Sequence, residues 1–476
     1  MPPKAKTQVK PDTITKLGPR PRLVRLIIKN FRCIGPNPVT IDLDDIVVLV
    51  GPNNTGKSSV LKAYEIIMSE GSGEGELTLE DFPGGKIISE ALPEIELHTI
   101  VYDNSPGPEW IGKTDSGENL VKERWNWSQP GKPVRRGYNF EKNRWADDGD
   151  KEKVPWGAAG YANSRRPQPH RVGAFDSPEK QEEAIVKLLT TAIKERVKTH
   201  EKDSKINKES DYAKLLESVA QLQKKIVGES QKEIEAIQDE LTTAIERVFP
   251  KHQVIFDAKP EDDIDKAINL FKTNPKLLMG PKDGYLSTVD RQGSGARRTL
   301  LWTALRLLAE SGAKKKSDTE KPHVLLLDEP EICLHPNAIR EACSLLYGLP
   351  EMINNWQVMV TTHSPCFVDF SRDHTTIVRV EISQQGQVSG TTIFRPANAK
   401  FTPDDKLELK MLNICDPYVA EFFFGGRTIV VEGDTEYTAF KALASLVPDK
   451  FRDIHIVRAR GKATIVSLAK ILNQFG

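Results

Sequence analysis

The sequence predicts an α/β fold: a parallel-sheet layer interrupted by an antiparallel β lobe and a helical insertion, then followed by a short second α/β segment. Three observations carry this prediction. The run GPNNTGKS at Gly51–Ser58 stands between the short apolar, β-branched run Ile46–Val50 and a helical spacing of Val60, Leu61, Tyr64 and Ile67. A second apolar run ends in paired carboxylates, HVLLLDEPE at His323–Glu331, far downstream of the first. Between the two, alternation of apolar and polar residues gives way to apolar residues three and four apart, so a period of two is replaced by one near 3.6.

Taken in order, Leu23–Ile28, Val39–Asp42 and Ile46–Val50 read as the strands that open the α/β domain, and Ser58–Met68 as the helix after the glycine loop. Pro93–Tyr102, Glu123–Ser128 and Arg135–Phe140 alternate between Gly/Pro/Asp-rich breaks, the pattern of an antiparallel lobe beside the main sheet. Ala146–Val172, rich in Pro, Gly, Arg and Asp, reads as an irregular connection. From Ser177 to Phe249 the pattern is helical: Leu215, Val219, Leu222 and Ile226, then Ile234, Ile237, Leu241, Ile245 and Val248, form stripes as wide as a coiled-coil or bundle seam. Such a stripe either packs on its own domain or meets a second subunit, and the insertion is the expected place of a dimer contact. A strand at Val254–Asp257, a helix near Ile264–Leu270 and the run Thr288–Arg298 lead back to the first domain, with Lys314–Lys321 as a solvated loop before the strand Val324–Leu327. The expected division is an arm over 1–22, a first domain part over 23–176, the insertion over 177–250, the second domain part over 251–400, and a linker with a small α/β segment over 401–476.

Composition excludes several classes. Lys+Arg and Asp+Glu are both 67, so net charge names no partner. The basic residues of the Pro-rich first segment suggest a solvated arm. The five cysteines, Cys33, Cys333, Cys343, Cys366 and Cys415, are odd in number and form no CxxC pair, which argues against a disulfide framework or a zinc site and fits a reducing cytoplasm. No apolar run approaches the ~18 residues of a membrane span.

The glycine loop carries chemistry. A G-x-x-x-x-G-K-[ST] match arises by chance about once in fifty chains of this length. Backbone N–H groups over Gly51, Asn53, Asn54, Gly56, Lys57, Ser58 and Ser59, with the positive end of the following helix, suit the phosphates of ATP; Lys57 reaches the β/γ oxygens and Ser58 the Mg²⁺. A Gly/Asn turn with a surface lysine is the plain alternative, and the second motif argues against it. Asp328, at the end of a buried strand, suits the metal shell; Glu329, the next residue, points to where an attacking water would sit and suits a general base.

The continuation EPEICLHP at Glu329–Pro336 and MVTTHSP at Met359–Pro365 resembles the ATP-binding-cassette superfamily. The resemblance makes His363 the switch histidine at the γ-phosphate. It makes Gly293–Arg298, with Ser294 and Gly295 at a helix start, the signature motif that closes over ATP on another subunit, and so implies a homodimer with two composite sites. No glutamine stands between Lys57 and Ser128 where that family has its Q-loop. Asp81, in Glu80-Asp81-Phe82, is the expected substitute at the metal-bound water.

Near the C-terminus, Arg427–Glu436 reads as a strand ending in Glu432, a glycine turn, and a helix beginning with Glu436, two carboxylates able to converge on a metal that also touches a phosphodiester. Asp453–Val457 reads as the next strand. This resembles the opening of a TOPRIM domain, and the combination resembles the OLD (overcoming lysogenisation defect) family of ATP-dependent nucleases and its relative, the Gabija anti-phage nuclease subunit. The resemblance implies DNA as a partner, Mg²⁺ or Mn²⁺ at the TOPRIM site, and further ligands from an Asp-x-Asp strand not reached before Gly476. The expectation is therefore half a metal site, completed by a longer chain or by a separate nuclease or helicase-like subunit. A nucleotide-gated sensor or scaffold is the alternative from another class. A repair ATPase of the RecF or SMC type is disfavoured because the insertion is too short for a long coiled-coil arm.

Overall fold

The computed structural model describes residues 21–157, 162, 166–173, 177–200, 234–247, 249, 251–257, 276–313, 323–332, 334–352, 356–370, 372–383, 386–395, 398, 401–424, 427–451 and 454–474. Two sheets dominate. The first is antiparallel, in the order β2-β1-β4-β6-β7-β8 with β5 on β6: β1 Arg22–Lys29, β2 Val39–Asp42, β4 Glu94–Val101, β5 Gly112–Lys113, β6 Asn119–Asn126, β7 Val134–Asn139 and β8 Arg144–Trp145. The second runs β16-β15-β3-β14-β13-β9, from β3 Ile46–Val50, β9 Gln168–Val172, β13 His323–Asp328, β14 Trp356–Thr361, β15 Thr375–Ile382 and β16 Val388–Phe394. All its pairings are parallel except β15 with β16.

The continuous apolar runs of β3 and β13 are explained by burial on both faces. Val47, Leu49, Val324 and Leu326 share one core with the helix α1 Lys57–Met68 and the antiparallel strands. Val48, Val50, Leu325 and Leu327 face a second core with the helices α2 Pro178–His200, α3 Ser294–Ala313 and α4 Pro336–Met352. A smaller antiparallel sheet joins β10 His252–Asp257, β11 Lys276–Pro281 and β12 Ser287–Thr288. The C-terminal part comprises α5 Pro403–Cys415, the 3-10 helix Pro417–Phe424, and the parallel pair β17 Arg427–Val431 and β18 Ile454–Arg458, with α6 Asp434–Leu446, α7 Pro448–Phe451 and α8 Lys462–Leu472.

Several expectations are corrected. The strands β1 and β2 belong to the antiparallel sheet, so the lobe begins before the glycine loop. The end of the stretch expected to be irregular is β9, a sheet-edge strand whose Pro169 is tolerated because an edge need not donate on both sides. The stripe Ile234, Ile237, Leu241 and Ile245 is buried in the chain's own second core beside Ile185, Leu188 and Leu189, and is not free for a partner. Leu215, Val219, Leu222, Ile226, Val248, Ile264–Leu270, Lys314–Lys321 and Asp453 lie outside the described residues.

Polar contacts pin the parts together. Glu123 on β6 and Glu70 after α1 receive Arg166, at 2.6 and 3.0 Å, and Arg135 on β7, at 3.4 and 3.5 Å. The side chains of Glu123, Arg166 and Arg135 are 1, 3 and 5% exposed, so two cations and two carboxylates neutralise one another inside the protein. At the other end, Asp405 on α5 accepts bonds from Ser467 Oγ, at 2.7 Å, and from Lys470, both on α8. Lys470 first, then the Thr402 amide, hold the Asp405 carboxyl well below the usual carboxylate range.

Removing one member of the buried quartet leaves uncompensated charge, so Glu123→Ala should destabilise the fold by about 3–5 kcal/mol, read from denaturant unfolding. For Asp405 the folded-state value is depressed, so its contribution is present at neutral pH and is lost as the pH falls below the unfolded value of about 3.9. Hydrogen-exchange protection of α8 should fall in that acid range, and Asp405→Asn should show the same loss already at pH 7.

Candidate functional site

The glycine loop closes against the sheet because its backbone can take conformations other residues avoid. Gly51 has φ 136°, and a Cβ there would lie 2.0 Å from the carbonyl oxygen of Val380 on the neighbouring strand. Gly56, at φ 98°, caps α1. The loop wraps the Lys57 ammonium, which donates to the carbonyls of Gly51 at 3.0 Å and Pro52 at 2.7 Å. Burial lowers the Lys57 pKa, while Glu329, Asp328 and Glu331 pull it back up. Asn53 and Asn54 lie exposed at the loop's tip, and Ser59 is buried with its Oγ 3.5 Å from Cys33 Sγ.

Three distant segments meet at one carboxylate oxygen. Asp328 Oδ1 accepts from Ser58 Oγ at 2.9 Å and from Thr361 Oγ1 at 2.7 Å, joining α1, β13 and β14 at the C-terminal edge of the parallel sheet. Glu329 follows with φ 46°, in the left-handed region a non-glycine residue seldom enters. Its N–H donates to Thr361 O at 3.1 Å and Oγ1 at 3.0 Å, and its carbonyl accepts from Arg298 Nη1 at 2.9 Å. Its carboxylate lies 3.4 Å from His363 Nε2. Burial, and then the Lys57 charge, push the His363 pKa down, which favours the neutral ring. Glu331 Oε1 accepts the His363 N–H at 2.6 Å, and burial raises the Glu331 pKa. Among the described residues His363 Nε2 and Glu331 Oε2 are buried without a hydrogen-bond partner, so the site keeps unsatisfied polar atoms beside Glu329.

The structure thus brings Lys57, Ser58, Asp328, Glu329 and His363 together. Asp81 is engaged elsewhere: its carboxylate accepts from Arg32 Nε at 2.8 Å and closes a capping box with Thr78, which leaves the expected water contact without geometric support. Ser294 and Gly295 begin α3 and line a different cavity, of about 350 Å³, with Gly293, His252 and His335. Thr361, Glu331 and Arg298 were not foreseen. Each stands inside a motif read above, Arg298 in Gly293–Arg298, Glu331 in Glu329–Pro336 and Thr361 in Met359–Pro365, but without a role of its own.

Beside the loop, a cleft of about 300 Å³ has Gly51, Pro52 and His363 on one side and Glu421, Phe424 and His455 on the other. The C-terminal part therefore borders the nucleotide loop. Phe422 and Phe423 are buried against Phe370 and Phe394, and Arg379 on β15 donates to both their carbonyls at 3.2 Å. Glu432 follows β17 and Glu436 lies in the first turn of α6, both exposed. Asp434, between them, is paired with Arg458. No described helix is long and apolar enough to cross a membrane.

Comparison with known proteins agrees with this layout. Residues 22–81 and 171–368 match the AAA ATPase domain family, and residues 423–476 match the overcoming lysogenization defect protein-like TOPRIM domain. The chain is 23% identical over 477 residues to the Old nuclease of Escherichia phage P2, covering 96% of this chain and 75% of that protein. It is 22% identical over 460 residues to the OLD nuclease of Thermus scotoductus, covering 95% of this chain and 80% of that one. Among solved structures it is similar to the Smc head bound to the C-winged helix domain of ScpA, at 15% identity and a TM-score of 0.45, covering 78% of this chain and 98% of that chain. The chain belongs to the AAA ATPase domain family, as an ATPase whose AAA domain is followed by a match to the OLD-like TOPRIM domain.

Proposed function

We propose that the chain hydrolyses ATP at the site around Asp328 and that this ATPase governs DNA cleavage by the TOPRIM part. The observation that carries the ATPase assignment is the junction of Ser58, Thr361 and Asp328, with the His363–Glu329 contact beside it. Lys57 holds the β/γ oxygens. Ser58 and Asp328 suit Mg²⁺, which when bound neutralises charge on the phosphates. Glu329 takes a proton from the attacking water, and neutral His363 donates from Nε2 to the γ-phosphate. Ser294 and Gly295 face a cavity of their own, which supports a homodimer in which each chain's signature completes the other's site.

The TOPRIM part has two strands among the described residues, and α6 has no buried residue. Phe440, Leu443, Leu446 and Val447 are 39, 54, 76 and 42% exposed. An apolar helix face left exposed among the described residues supports completion by further strands, in the same polypeptide or on a separate subunit. Glu432 and Glu436 would then hold part of a two-metal centre, where bound Mg²⁺ or Mn²⁺ would supply charge stabilisation for phosphodiester cleavage. The division into arm, two ATPase parts, helical insertion and TOPRIM segment goes with this reading. Defence against phage follows from the family resemblance, and the odd cysteine count without a CxxC pair supports a cytoplasmic location.

Lys57→Ala should abolish hydrolysis together with tight ATP binding, whereas Glu329→Gln should keep binding and lower kcat by about 10²–10⁴. With ATP the Glu329→Gln protein should be dimeric by light scattering. Equal loss of ATP binding in both variants, or a monomer with and without ATP, would contradict these roles. The chain itself should hydrolyse ATP without nicking supercoiled plasmid. With further strands joined to the β17–β18 pair, on a longer polypeptide or from a second subunit, Mg²⁺- or Mn²⁺-dependent nicking is expected that Glu432→Ala removes; a form with those strands that cuts no DNA would favour a nucleotide-gated scaffold.

A further inference from the structure

We infer that Arg298 is a positioning residue that couples the seating of the signature helix to the placement of Glu329. The inference rests on Glu329 being the base, as proposed above. Glu329 is held in a left-handed conformation, φ 46°, which a non-glycine residue keeps only when its surroundings impose it. The restraints come from two directions. On one side Thr361, fixed in the parallel sheet by its register with Asp328, receives the Glu329 N–H. On the other, Arg298 Nη1 donates to the Glu329 carbonyl at 2.9 Å.

Arg298 is 4% exposed and stands one helical turn after Ser294, so the two occupy the same face of α3. Leu300, Leu301, Ala304 and Leu305 are each buried along the same helix, so Ser294 and Arg298 keep a fixed spacing on one rigid element. A displacement of Ser294 and Gly295 is therefore delivered through Arg298 to the main chain that aims the Glu329 carboxylate. The sheet side cannot give, because Thr361 Oγ1 is also bonded to Asp328. The helix side is the adjustable one. In a dimer where Ser294 of one chain seats on ATP held by the other, occupancy of that site would set the base of the first chain's own site, and the two sites would fire in a coupled manner.

The test is steady-state and single-turnover ATP hydrolysis by Arg298→Ala and Arg298→Lys, each also in the Glu329→Gln background. The expected result for Arg298→Ala is a kcat 10- to 100-fold lower with KM within threefold of the parent and a reduced Hill coefficient. Arg298→Lys, whose shorter reach leaves the carbonyl unmet, should fall in between. In Glu329→Gln the Arg298→Ala change should cost little more, because its effect passes through the base. ATP-induced thermal stabilisation shows that each variant is folded and binds nucleotide; should Arg298→Ala not fold, Arg298→Lys carries the test. An unchanged kcat in Arg298→Lys, or an undiminished further loss in the Glu329→Gln background, overturns the inference. If Glu329→Gln alone leaves kcat intact, the base assignment fails first, which separates the two failures.

Discussion

The structure depends on the Asp328 carboxylate. It lies at the edge of a sheet whose strands approach it from both faces' cores, and one of its oxygens serves a hydroxyl from the glycine loop and a hydroxyl from the neighbouring strand. Those partners lie 270 and 33 residues away in the chain. The bonds form only if β13, β14 and β3 are in register, with Asp328 opposite Thr361 and Thr361 opposite Leu49. A buried carboxylate without its donors is costly, so the polar junction and the apolar alternation of the strands select the same register. The nucleotide site is thus specified by the folding of the sheet.

Around that point the charges are arranged so that few can change independently. Lys57 is buried beside Glu329, Asp328 and Glu331, and its charge in turn lowers the pKa of His363. The backbone at Glu329 is strained, and its restraints come from residues outside the motif itself. Strain and unsatisfied polar atoms at His363 and Glu331 concentrate where the chemistry is proposed, in keeping with a site organised for function rather than for the stability of the free protein.

Much of this was legible in the amino-acid sequence, and the reasons differ by element. The strands Ile46–Val50 and His323–Asp328 are uniformly apolar, buried on both faces and followed by chemically specific residues, so both their existence and their end could be read. Of the antiparallel strands, β4, β6 and β7 were legible by alternation, whereas β1 and β2 could be read as strands but not assigned to the right sheet. The strand Gln168–Val172 was hidden because its Pro169, His170 and Arg171 suit a sheet edge, where side chains carry little apolar signal. The use of Ile234–Ile245 was ambiguous because a stripe of that spacing records burial but not the surface that buries it. Asp81 illustrates the limit for polar groups: a carboxylate near a motif cannot be told from one that caps a turn until Arg32 and Thr78 are placed beside it. Thr361, Glu331 and Arg298 each bond main-chain atoms of other motifs, contacts that leave no pattern in composition or spacing.

The phenylalanines of the 3-10 helix Pro417–Phe424 are part of the same apolar core as the strands and helices of the ATPase. The boundary between the two family matches therefore passes through packed side chains, where a flexible tether would allow the halves to move freely. Cutting the protein there would strip the ATPase of part of its interior. A TOPRIM part grafted in place of this one would have to fit the pocket that holds Phe422 and Phe423, since those rings fill the ATPase core.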